Sequence, residues 1–72
     1  MSTEGIIEIF RRILKTENIQ VDSDFFSLGG DSLLATRVLS AIAREYGAEL
    51  TLTDFLSAPS PQALSKQIGR GA

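Results

Sequence analysis

Gly29-Gly30-Asp31-Ser32 is where the chemical potential of this chain is concentrated. Two glycines let the atoms of another molecule approach the backbone closely. They lead straight into an apolar-periodic segment with the marks of a helix start. A helix N-terminus carries partial positive charge and N–H groups without intrahelical acceptors, a setting that suits a phosphate. A primary hydroxyl at that point, Ser32, is well placed to become a phosphodiester. Asp31 beside it suits the N-cap and offers a carboxylate to help hold a metal-bound phosphate donor during transfer. The same string also occurs as a plain helix cap with no chemistry attached.

Several other chemistries fail on residue type. A phosphate-binding loop of the nucleotide-hydrolase kind needs Lys-Ser/Thr after its glycines, and here the pair is Asp-Ser. The nucleophile-elbow pattern needs a second glycine where Leu34 stands. A serine nucleophile needs a base, and the chain has no histidine, so that base would have to be Lys15, Lys66 or a carboxylate. It has no cysteine either, which excludes disulfides and thiolate metal sites. No metal site is expected, and an autonomous enzyme is not.

The elements that must position Ser32 follow from periodicity. Ile6, Ile7, Ile9, Phe10, Ile13 and Leu14 fall on one side at helical spacing, predicting an amphipathic helix from about Thr3 to Lys15 capped by Ser2 or Thr3. Gly5 weakens its first turn by about 1 kcal/mol. Residues 16–31 are rich in turn formers, yet Ile19, Val21, Phe25, Phe26 and Leu28 are strongly apolar. Such a loop is expected to be pinned onto the core at several points. Long loops in small domains are usually functional.

The second helix is predicted from the Asp31 cap to about Tyr46, with Gly47 ending it. Its core stripe is Ala35, Val38, Leu39, Ile42 and Tyr46, flanked by Leu34 and Ala41. The opposite face carries Leu33, Thr36, Arg37, Ser40 and Arg44. Leu33 is the misfit there, a large apolar group directly after Ser32. Leu50 and Leu52 alternate with polar residues in a short extended piece, and Thr53 reads as the cap of a one-turn helix, Asp54 to Ser57, burying Phe55 or Leu56. Ser60 and Pro61 open a last helix, and residues 69–72 read as a frayed tail.

The chain has 72 residues and 24 apolar side chains larger than alanine, enough for one thin core. One domain over residues 1–72 is expected. Seven basic against nine acidic residues give a net charge of −2, which argues against a helix-turn-helix nucleic-acid binder. Charges interrupt the apolar pattern of the first helix, so neither a signal sequence nor a membrane span is predicted. A cytoplasmic protein is expected.

The run from Asp24-Phe25-Phe26-Ser27-Leu28-Gly29-Gly30-Asp31-Ser32-Leu33 to Leu34-Ala35-Thr36-Arg37 resembles the core motif of thiolation domains, the peptidyl carrier proteins of nonribosomal peptide synthesis. Leu52-Thr53-Asp54-Phe55-Leu56 and Ala58-Pro59-Ser60 follow in the order of that family, so the resemblance spans nearly the whole chain. It implies an all-α, four-helix carrier fold of three main helices and one short one. It implies that Ser32 receives 4′-phosphopantetheine from coenzyme A through a phosphopantetheinyl transferase, with Gly29, Gly30 and Asp31 forming the attachment site. The arm supplies the thiol that a chain without cysteine lacks. An adenylation enzyme and condensation or tailoring enzymes are the further partners implied. Their docking surface is expected at Leu33, Thr36, Arg37 and the Phe25–Gly30 loop, with weak and reversible binding and a monomeric carrier.

Two rivals stand beside this reading. Fatty-acid and polyketide acyl carriers resemble the same fold and share the aspartate before the serine, but they typically show an acidic second helix. Here that face has Arg37 and Arg44. The other rival is a helical adaptor that binds protein without a cofactor.

Overall fold

The computed structural model describes residues 3–71, with side chains for residues 3–68. Four helices follow one another: α1 (Thr3–Leu14), α2 (Ser32–Tyr46), α3 (Leu52–Ser57) and α4 (Pro61–Gly71). No strand occurs among the described residues. α1 packs against both α2 and α4, and α3 packs on α2.

The apolar face of α1 is buried through Ile6, Ile7, Ile9 and Phe10. The helix stops one residue earlier than its pattern suggests, because Lys15 adopts a left-handed conformation with φ 56°. Thr3 is its first helical residue, and Ser2, the other expected cap, lies outside the described residues. Arg12 reaches across to Glu45 on α2 in a two-pronged ion pair of 2.9 and 2.7 Å. Exposed pairs of this kind contribute at most about 1 kcal/mol, so apolar burial carries the α1–α2 contact.

All four phenylalanines of the chain meet in one cluster. Phe25 stands edge-on to Phe10 and to Phe55, with ring centroids 5.0 Å away in each case. Phe26 covers Phe25 and Phe55 at 5.5 and 5.9 Å. Edge-to-face pairs of this kind add about 0.5–1.5 kcal/mol beyond their burial. The cluster ties α1, the α1–α2 loop and α3 together.

That loop is pinned as its apolar content predicts, at Ile19 and Phe25, with Phe26 and Leu28 packed against the core. Val21 is the exception, since its side chain is exposed. Its carbonyl instead accepts from Gln62 N–H at 2.9 Å. The Phe25 N–H donates to the Pro59 carbonyl at 2.8 Å, so two backbone bonds strap the loop to the α3–α4 connection.

Three further expectations need correction. Tyr46 is not a core residue: it is exposed, and its phenol lies over Gly5 of α1, in the space a Cβ there would need. Ala41, expected at the flank, is buried instead. The cap of α3 is Thr51 rather than Thr53, and no extended piece precedes it. Thr51 Oγ1 accepts from Asp54 N–H at 3.1 Å, and the Asp54 carboxylate accepts from Thr51 N–H at 3.0 Å. This reciprocal capping box satisfies two backbone donors at once. Phe55 is buried and Leu56 is exposed, which settles the choice left open between them. Thr51→Ala is expected to cost about 1 kcal/mol in chemical denaturation. Thr53→Ala should leave stability within about 0.5 kcal/mol, because its exposed side chain caps nothing. Equal losses in the two variants would reverse this assignment.

Ser60 caps α4 as expected, its Oγ accepting from Ala63 N–H at 3.2 Å. α4 then runs on through residues 69–71, read from sequence as frayed. Glycine weakens a helix without forbidding it. Ala72 lies outside the described residues.

Candidate functional site

The site is built from the loop that delivers the chain to α2. The Phe26 N–H donates to the Asp24 carboxylate at 2.9 Å, starting a tight turn. The chain then wraps around the Phe25 carbonyl, which accepts from Leu28 N–H at 3.3 Å and Gly30 N–H at 3.1 Å. Gly29 makes the reversal with φ 98°, a conformation that L side chains rarely adopt.

Gly30 is small for a different reason. A Cβ there would fall on the Phe25 ring and within 2.7 Å of the Phe25 carbonyl oxygen. The space that the sequence pattern assigns to an approaching ligand is filled at Gly30 by the protein itself. At Gly29 it is open. Phe25 requires the larger correction. Expected in the docking surface, it is fully buried and can touch no partner. It holds the loop from beneath, and the half-exposed Phe26 is the aromatic residue nearer the surface.

Asp31 takes extended geometry and caps α2, its carboxylate accepting from Leu34 N–H at 2.9 Å. The Asp31 carbonyl accepts from Ala35 N–H at 2.8 Å as the first intrahelical bond. This leaves the N–H groups of Ser32 and Leu33 without intrahelical acceptors. Ser32 is the first residue of the helix and is exposed, and its hydroxyl makes no hydrogen bond among the described residues. An oxygen beside two unused N–H groups at the positive end of a 15-residue helix fits a phosphodiester. The N-terminal position stabilises such an anion by about 0.3–1 kcal/mol, an anchoring effect rather than a catalytic one.

Leu33 is 65% exposed, the largest value among the large apolar residues described. Thr36 and Arg37 are exposed on the same outward face. The Thr36 hydroxyl donates to the Ser32 carbonyl at 2.9 Å, one helical turn back. The structure thus brings Asp31, Ser32, Leu33, Thr36 and Arg37 to one surface and sends Phe25 beneath it. Arg44 continues that face at the far end of α2.

A small helical bundle that offers an unengaged hydroxyl at a helix mouth has the geometry of a carrier of a covalently attached group. Comparison with known proteins identifies the group. The family model for the phosphopantetheine attachment site matches residues 4–68. The isonitrile lipopeptide synthase of Mycobacterium tuberculosis is 47% identical over 64 residues, covering 89% of this chain and 2% of that protein. A probable non-canonical nonribosomal peptide synthetase of Salinispora arenicola is 38% identical over 72 residues, covering 99% of this chain and 1% of that protein. Among solved structures, a chain of the complex of the phosphopantetheine transferase Sfp with coenzyme A and a peptidyl carrier protein superposes with a TM-score of 0.92. That match has 30% identity and covers 97% of this chain and 91% of the other. The chain belongs to the phosphopantetheine attachment family, as a carrier of the peptidyl type whose prosthetic group is 4′-phosphopantetheine. It spans only 1 to 2% of the length of these two synthetases.

Proposed function

We propose that Ser32 is the attachment residue and that residues 1–72 act as one carrier unit in nonribosomal peptide-type biosynthesis. The observation that carries this reading is the exposed, unbonded Ser32 hydroxyl at the start of α2. In the transfer, the bond from Ser32 Oγ to the pantetheine phosphorus forms as the bond from that phosphorus to the nucleotide part of coenzyme A breaks. The hydroxyl proton passes to a base of the transferase. Once attached, the arm supplies a thiol that holds an aminoacyl or peptidyl group as a thioester. The domain itself anchors and presents the arm and performs no catalysis.

An adenylation enzyme loads the thiol, and condensation or tailoring enzymes consume the cargo. Arg37 and Arg44 on the outward face of α2 support a peptidyl carrier over an acyl carrier with an acidic second helix. The carrier is taken to work as a monomer in the cytoplasm; among the described residues no helix is long and apolar enough to cross a membrane.

Intact mass after incubation with coenzyme A and Sfp tests the proposal. One added phosphopantetheinyl group is expected, and an unchanged mass would remove it in favour of a cofactor-free adaptor.

Leu33 is the apolar contact that a partner grips beside the modified serine. Leu33→Asp should slow loading by about tenfold, the loss typical of truncating one interface anchor. Its helicity should match the parent, since Leu33 is largely exposed and lies outside the core. Loading at the parental rate would end this role for Leu33.

A further inference from the structure

Thr36 and Ser40 follow Ser32 at i+4 and i+8, so three exposed hydroxyl residues form a ridge along α2. A groove opens on each flank of that ridge, and Thr36 and Ser40 line both. The groove toward α1, of about 380 Å³, has Ile9 and Ile13 as apolar ground and Arg12, Arg37 and Arg44 around it, with no carboxylate. The groove toward the α2–α3 connection, of about 500 Å³, is lined beside the ridge by Leu39, Ala43, Glu49, Leu50 and Thr51. Among the described residues Glu49 is the one charged group that lines it. Glu49 is exposed and has no ion-pair or hydrogen-bond partner among the described residues. The two flanks of α2 therefore offer opposite charge.

Both grooves lie within reach of a group on Ser32. By the helical rise, Thr36 is about 6 Å and Ala43 about 16 Å along the axis from Ser32. A phosphopantetheine arm has about fourteen bonds between Ser32 Oγ and its sulfur, which extend to about 17 Å at the rise of an extended chain. The end of the arm thus comes level with Ala43 and the Glu49 carboxylate. Charge then separates the two flanks. An aminoacyl thioester carries an ammonium two bonds from the thioester sulfur's carbonyl partner, at the tip of the arm. The arginine-lined groove repels that ammonium, and the groove that holds Glu49 attracts it. Leu39 and Leu50, both half-buried, give the methylene stretches of the arm an apolar bed.

We propose that the aminoacyl end of the arm rests in the groove toward the α2–α3 connection, its ammonium against the Glu49 carboxylate, and leaves once that amine is acylated. This rests on Ser32 being the attachment residue and deepens that reading by separating a cargo with a free amine from an N-acylated one. Acylation turns the ammonium into a neutral amide, so the attraction ends when the amine has reacted. Exposed ion pairs are weak and screened by salt, which suits a cargo that has to be surrendered.

Proton–nitrogen NMR spectra of the 15N-labelled chain provide the test. Sfp loads the chain from coenzyme A analogues whose terminal thiol is replaced by an amine. One analogue ends there, one carries alanyl and one N-acetylalanyl, each joined by a stable amide. At about pH 6.5 the alanyl amine is protonated, so the last two differ by a single charge. Relative to the bare arm, the alanyl end should shift the amide signals of Ser40, Ala43, Glu49 and Leu50 about two- to fivefold more than the N-acetylalanyl end, the range of one exposed ion pair. The difference should vanish in Glu49→Gln and at about 1 M salt. It should persist in Glu17→Gln, which removes a carboxylate from the α1–α2 loop, outside this groove.

Equal shifts from the two ends overturn the proposal, as does a difference that survives in Glu49→Gln. A difference lost equally in Glu17→Gln also overturns it, assigning the effect to net charge. Shifts gathered at Ile9, Ile13 and Arg44 would place the cargo on the opposite flank, and no shift from either end would leave the arm in solvent; each result overturns it while loading upholds Ser32. A chain that takes up none of the three arms defeats the attachment reading, and the proposal falls with it.

Discussion

Ser32→Ala abolishes uptake of phosphopantetheine from coenzyme A and leaves the fold untouched. The expected effect is all or none, because the oxygen that is removed forms the new bond. Thr36 cannot replace it. Its hydroxyl is held by the Ser32 carbonyl, one turn into the helix and away from the unused N–H groups. Stability should change by less than about 0.5 kcal/mol, as for other exposed positions. The Asp31 cap does not depend on the Ser32 side chain, because it uses the Leu34 N–H. Intact mass and a thermal melt on the same sample separate the two expectations. A variant that still gains one phosphopantetheinyl group would move the attachment point elsewhere.

Phe25→Ala should unfold the domain or nearly so. Phe25 is fully buried, touches three other aromatic rings and fills the place that Gly30 leaves vacant. Truncating a buried phenylalanine costs about 3–5 kcal/mol. A domain of this length has about 4–11 kcal/mol of stability in total. A folded remnant should therefore melt at least about 12 °C below the parent. The loop that delivers Ser32 would lose its anchor at the same time. Loss of less than about 4 °C would show that the loop holds its shape without the ring. This outcome differs in kind from Ser32→Ala, where a stable fold loses its group.

The contrast between these residues shows how far the sequence could be read. Gly29, Asp31, Ser32 and Gly47 act through local backbone geometry. A left-handed turn, a side-chain cap, the first helical residue and a left-handed stop are each decided within four residues of chain. The roles of Asp31, Ser32 and Gly47 are accordingly visible in residue type and spacing, whereas the left-handed turn at Gly29 emerges from the structure. The outward placement of Leu33, Thr36 and Arg37 follows from helical period alone. Phe25 was misread because an aromatic residue in a loop beside a reactive serine is equally consistent with either side of the surface. Its burial depends on Phe10 and Phe55, 15 and 30 residues away in the chain. The α3 cap was placed two residues late for a related reason: Thr51 and Thr53 are alike as caps. The signal that separates them is Asp54 three residues after Thr51, which completes a capping box.

Sequence alone determined that this chain is all helical, where α2 begins, and that a hydroxyl stands at its mouth, since each of these depends on neighbours along the backbone. Tertiary structure decided which aromatic lies beneath the loop, why Gly30 tolerates no side chain, and that Arg37 and Arg44 border a shared groove with α1. Those features depend on pairs distant in the chain, and only the packing of α1, α2, α3 and the loop around one core brings them together.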